Sequence, residues 1–156
     1  MITLVLIACA LVAVTVVVHA VGFSVLLRFT VKEWQALTKS GFWSLAWLII
    51  WLAYWLLLIH LAEIALWGLF YFWQGCMPDV GTACYFSGIT YTTVGYGDLV
   101  LPEAWRMLAP LEAMTGILMC GLSTGFFFAV VHRLINNLVK EKLSSEPKEP
   151  PVIHDR

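Results

Sequence analysis

The chain has 156 residues, 61% of them hydrophobic and 12% charged, with a formal net charge of -1. Its mean hydropathy is +0.86, and a soluble domain of this size has no core large enough to hide that much apolar surface. The sequence holds no basic block for nucleic acid and no phosphate-binding loop, and its long apolar runs are those of one integral membrane domain.

Ile2 to Leu27 contains no Asp, Glu, Lys or Arg. As a helix it exceeds the ~20 residues needed to cross a bilayer. Val18-His19-Ala20 has the look of a signal-peptidase site, but no positive n-region precedes the apolar run, so a retained first helix over residues 1–28 is expected. Residues 29–41 are more polar, with Lys32, Glu33 and Lys39 after Arg28. They suit either a cytoplasmic linker or an interfacial stretch with Phe29, Val31, Trp34 and Leu37 on its apolar side.

Phe42 to Trp73 is the second apolar run, longer as a helix than the hydrocarbon core at ~1.5 Å per residue. Trp43, Trp47, Trp51 and Trp55 recur every four residues and share a face, and Trp43 and Trp73 suit the two interfaces. His60 and Glu63 stand mid-span, three apart and hence neighbours. Ionisable groups there face protein or water. They read either as a pair bracing the next helix or sensing pH, or as a neutral structural pair.

Gly75, Pro78 and Gly81 break the pattern in an outer loop, and Asp79 or Thr82 can cap a short helix over Ala83 to Thr90. That helix cannot span. It is expected to enter the membrane part way and aim its partially negative C-terminal end inward. Thr92-Thr93-Val94-Gly95-Tyr96-Gly97-Asp98 follows. To strip water from a monovalent cation, successive backbone carbonyls must face one axis, and Gly95 and Gly97 can take the positive φ this requires. Thr93 can add its hydroxyl, while Val94 and Tyr96 point away from the axis.

The third long helix is expected from Glu103 to about Asn136, after Pro102. Pro110 either kinks it or lies in its first turns. Glu112 suits a hydrogen bond to the short helix, near Glu63, or a plain place at the interface. Gly121 and Gly125 form a Gly-x-x-x-Gly pair suited to close packing, and Thr115, Ser123 and Thr124 are candidates to line a wet cavity. Residues 137–156 turn polar, with three prolines, and read as a cytoplasmic tail, disordered after a short helical extension.

Thr93-Val94-Gly95-Tyr96-Gly97-Asp98 resembles the selectivity-filter signature of the tetrameric pore-loop potassium channels, and the resemblance runs from about Cys76 to Phe128. It implies an all-α membrane protein: three transmembrane helices, a re-entrant pore helix and an extended filter, as a C4 homotetramer with residues 42–136 as the pore domain. It places K+ at Thr93, Val94, Gly95 and Tyr96, with Gly97 completing the filter. It implies support from Thr92, Asp98, Tyr85, Phe86 and Tyr91 and a gating hinge at Gly116; Glu112, His60 and Glu63 are candidates for further support by their positions alone, with the alternatives given above. Some members carry a pore-helix carboxylate where this chain has Ile89, so that support must come from elsewhere or be absent.

The implied function is passive K+ conduction, with no enzyme activity and no cofactor beyond K+ in the filter. A weakly selective monovalent cation channel is the alternative. A transporter subunit calls for internal repeats that are not found, and a non-conducting assembly protein would also use the many Trp. Charge placement tests the orientation separately: Arg28, Lys32, Lys39, Arg133, Lys140, Lys142, Lys148 and Arg156, eight of nine basic residues, lie on the side expected to be cytoplasmic, and Arg106 opposite. The N-terminus is then outside and the C-terminus inside a plasma (inner) membrane. Cys9 and Cys120 read as small apolar fillers, Cys76 and Cys84 near the outer face can form a disulfide, and no Cys/His cluster has metal-site spacing.

Overall fold

A computed structural model describes residues 2–37 and 42–145. It is helical, with no strand among those residues. The elements are α1 (Ile2–Leu37), α2 (Phe42–Trp73), α3 (Val80–Tyr91), a 3-10 turn (Glu103–Trp105) and α4 (Leu108–Ser145). Three of them, α1, α2 and α4, are long and apolar enough to cross a membrane.

Helix α1 does not stop at residue 28 with the apolar run; it continues to Leu37. The reason is local. Between Phe23 and Ser40 there is neither Gly nor Pro, and Arg28, Lys32, Glu33, Gln35 and Ala36 are good helix formers. Up to Leu37, the stretch read as a linker is therefore helix, and residues 38–41 and 146–156 lie outside the described residues. At the other end, α4 starts later than Glu103. Pro102 to Arg106 form a tight turn, in which Trp105 N–H donates to the Pro102 carbonyl at 2.9 Å. Pro110 then falls in the first turn of α4, where backbone N–H groups have no intrahelical acceptor, and so does not kink the helix.

Two hydrophobic clusters hold the helices together. One joins Ala8 of α1, Trp67 and Tyr71 of α2, Ala83 and Phe86 of α3, Leu101 and Leu108. The other joins Leu26, Leu48, Leu52, Leu56, Ile59 and Leu134. These pairings make α2 antiparallel to both α1 and α4. The first cluster marks the end that carries α3 and residues 92–102. Between the clusters, at the level of His19 and Glu63, lies a layer of buried polar side chains.

Helix α3 is short but firmly seated between α2 and α4. Asp79 caps it, accepting from Thr82 N–H at 2.9 Å and from Thr82 Oγ1 at 2.7 Å. Two glycines on its neighbours admit it. A Cβ on Gly68 of α2 would lie 2.9 Å from Cys84 Cα, and one on Gly116 of α4 would run into the Tyr91 carbonyl. By contrast, a Cβ on Gly121 or Gly125 would meet nothing within 4 Å. Within one chain the Gly-x-x-x-Gly pair packs against no neighbour, and Gly116 does.

Candidate functional site

Residues 92–98 leave the C-terminal end of α3 as irregular backbone. Thr92 Oγ1 donates to the Gly88 carbonyl at 2.6 Å, closing the helix. Thr93 N–H donates to Thr90 and Gly95 N–H to Ile89, each at 2.9 Å. Thr93, Gly95 and Gly97 have φ of 62°, 52° and 76°. Every second residue is thus left-handed, and Thr93 is the one non-glycine with positive φ among the described residues. For a β-branched residue that conformation is strained and needs support from its surroundings. All seven residues from Thr92 to Asp98 are exposed; Val94 and Tyr96, expected to point away from the axis, stay largely uncovered in a single chain.

The outer end of this stretch is tied back to α3. Tyr85 Oη donates to Asp98 Oδ2 at 2.8 Å, and that bond raises the Tyr85 pKa above the ordinary tyrosine value by stabilising the phenol. Phe86 is buried edge-on against Tyr71 with ring centroids 5.4 Å apart. Ile89 lines a cavity of about 340 Å³ shared with Phe86, Thr93, Gly95, Leu101 and Ala109.

Two buried polar groups brace α3. Near its middle, Ser87 Oγ lies 2.5 Å from Glu112 Oε1 and 2.8 Å from the Ile64 carbonyl. Tyr71 Oη donates to Glu112 Oε2 at 2.8 Å. Glu112 therefore joins α2, α3 and α4, and its hydrogen bonds go to Ser87 and Tyr71, not to Glu63.

The second group surrounds Glu63 at the end of α3. His19 Nδ1 donates to Glu63 Oε1 at 2.7 Å, and Tyr91 Oη donates to Glu63 Oε2. With that phenol proton committed, His60 Nδ1–H donates to the Tyr91 oxygen at 3.0 Å and Ser123 Oγ donates to His60 Nε2 at 2.9 Å. All four helices contribute to the group. His60 and Glu63 lie 3.4 Å apart on one face. His19, Glu63 and Ser123 are buried, and His19 Nε2 has no hydrogen-bond partner among the described residues. His19, His60 and Glu63 offer three donor atoms within 4.8 Å of one another.

The proposed cavity liners divide. Thr115 and Ser123 are buried, and Thr124 is exposed with its hydroxyl on the Cys120 carbonyl at 2.9 Å. The Cys76–Cys84 disulfide is not formed; both thiols are free. Cys84 Sγ sits beside the α2 backbone at Gly68, and burial pushes the Cys76 thiol up, away from reactive thiolate.

Residues 59–133 match the family model described as an ion channel. This segment is similar to that family. It runs from the middle of α2 through most of α4, so it includes Glu63, α3, residues 92–98, Glu112 and Ser123, and leaves α1 with His19 outside. Comparison with curated proteins and with solved structures gave no match.

The polar partners of the ion-channel segment were not all visible in sequence. His19 is 44 residues from Glu63 and was read only as part of a cleavage-like tripeptide. Its signal was present: Thr15 and His19 are polar and four apart within the uncharged run Ile2–Leu27, and such residues seek a protein partner. Thr15 meets Trp67, whose Nε1 donates to Thr15 Oγ1 at 3.0 Å. Tyr71 and Ser87 carried no pattern that set them apart from their neighbours.

Proposed function

We propose that the chain is one subunit of a homotetrameric, potassium-selective channel that conducts K+ passively. The observation that carries this reading is the alternation of left-handed residues at Thr93, Gly95 and Gly97 within Thr-Val-Gly-Tyr-Gly-Asp. Alternating backbone handedness turns successive peptide dipoles to the same side, which is what carbonyls need in order to replace a hydration shell. On this reading α3 is the re-entrant pore helix, and oxygens of Thr93, Val94, Gly95 and Tyr96 hold K+.

Lipid cannot satisfy irregular backbone, so residues 92–98 must face water or protein. Four copies around an axis meet that condition and cover Val94 and Tyr96. The C-terminal end of α3 then brings partial negative charge to the ion path. Charge placement supports an extracytoplasmic N-terminus and a cytoplasmic C-terminus in a plasma membrane.

The test is flux from liposomes holding the purified full chain. K+ efflux blocked by barium, with a reversal potential that follows the K+ gradient in mixed K+ and Na+, is expected, and Gly95→Ala should abolish it in an intact tetramer. A reversal potential indifferent to K+ against Na+ would replace this reading with a weakly selective cation channel, and no flux at all would remove both.

A further inference from the structure

We propose that His19, His60 and Glu63 form a binding site for a divalent transition-metal ion of the Zn2+ class, clamping α1 onto the ion-channel segment. Two imidazoles and a carboxylate suit Zn2+ and its first-row neighbours, whereas Mg2+ and Ca2+ require all-oxygen shells. The donors are already grouped within 4.8 Å. A tetrahedral shell with bonds of about 2.1 Å puts ligand atoms about 3.4 Å apart. His19 Nδ1 lies 2.7 Å from Glu63 Oε1, a hydrogen-bond distance that would have to widen around an ion, and His60 Nδ1 lies 3.4 Å from the other carboxylate oxygen, Oε2.

The hydrogen bonds around the triad allow ligation without leaving a charge unmatched. Metal on His60 Nδ1 requires the ring proton on Nε2, and there Ser123 Oγ at 2.9 Å accepts it. A ligating imidazole ordinarily has such a partner on its other nitrogen. Glu63 binding through Oε1 keeps Oε2 for the Tyr91 hydroxyl. His19 differs: metal on its Nδ1 puts the ring proton on Nε2, which is buried and has no partner among the described residues. No proton is lost when both neutral imidazoles bind, because each moves its proton between its own nitrogens. The buried Glu63 has no Lys or Arg ion partner among the described residues, and the ion supplies positive charge to it.

This inference does not depend on ion conduction, and its test measures metal. The purified full chain in detergent is stripped with chelator, then dialysed against micromolar free Zn2+ and, separately, Co2+. One ion per chain, retained in excess Mg2+, is expected, with the intense visible bands of four-coordinate Co2+. His19→Gln keeps a hydrogen-bond donor for Glu63 and should fold, yet lose the ion. Ser123→Ala should weaken binding about tenfold, and His132→Ala, on the exposed part of α4, should leave it unchanged. A wild-type chain that retains no Zn2+ overturns the proposal, as does folded His19→Gln that binds as tightly as wild type.

Discussion

Ser87 has a single hydroxyl proton but sits against both the Ile64 carbonyl and Glu112 Oε1. Tyr71 supplies a proton to Oε2 and none to Oε1. The set closes when Ser87 donates to Ile64 and Glu112 itself donates to Ser87, that is, when Glu112 is a carboxylic acid. An amide can repeat that pattern, with its N–H on Ser87 and its oxygen on Tyr71. Glu112→Gln is therefore expected to melt close to the wild type, while Glu112→Ala strands the buried Tyr71 hydroxyl at a cost of about 1–3 kcal/mol and leaves Ser87 with Ile64 alone. Thermal unfolding of the two variants in detergent checks this; a Gln variant as unstable as the Ala variant contradicts the proton count. Tyr85 and Asp98 offer a second residue-scale test. The bond to Asp98 holds the phenol above its ordinary pKa. Its contribution to stability is therefore complete below the unfolded value, about 10, and is lost as pH rises through the higher folded value. Asp98→Asn should bring the Tyr85 titration, followed by NMR of labelled tyrosine, back toward that ordinary value.

At the scale of elements, the fit of α3 rests on what α2 and α4 lack. Gly68 and Gly116 leave no room for a methyl group against Cys84 and Tyr91. Either Gly→Ala change should cost about 1–3 kcal/mol of overpacking and displace the end of α3 from which residues 92–98 hang. Gly121→Ala meets open space and should instead gain up to about 1 kcal/mol of helix propensity. Melting temperatures of the three variants, measured together, separate packing from propensity; equal shifts at Gly116 and Gly121 would rule the close approach out. These glycines also mark how far the chain could be read unaided. Long apolar runs made α1, α2 and α4 legible, and Asp79 with Thr82 made the start of α3 legible, because those signals are local. Gly68 looks like any other glycine in an apolar run, since its importance arises from Cys84 in another helix. Thr93 was read for its hydroxyl, and its left-handed backbone could not be foreseen from a β-branched side chain.

The whole molecule is unfinished as a single chain. Val94 is 52% and Tyr96 73% exposed, although both are large apolar side chains beside irregular backbone. Met107 just before α4, and Met114, Ile117, Leu118, Leu122 and Phe128 on it, are exposed as well. Lipid can cover the helical residues, but it cannot cover residues 92–98, whose backbone needs polar partners or water. A second copy can cover both. If Tyr96 is packed between subunits, losing it removes contact area from every interface of a closed ring at once. Tyr96→Ala should therefore lower the temperature at which the assembly falls to monomers while leaving the fold of each chain intact. Light scattering in detergent reads the first quantity and helix content the second, with four chains per particle expected for the wild type. A wild-type particle of one chain, or a Tyr96→Ala assembly as heat-resistant as wild type, would mean that this ring of side chains does not join the subunits.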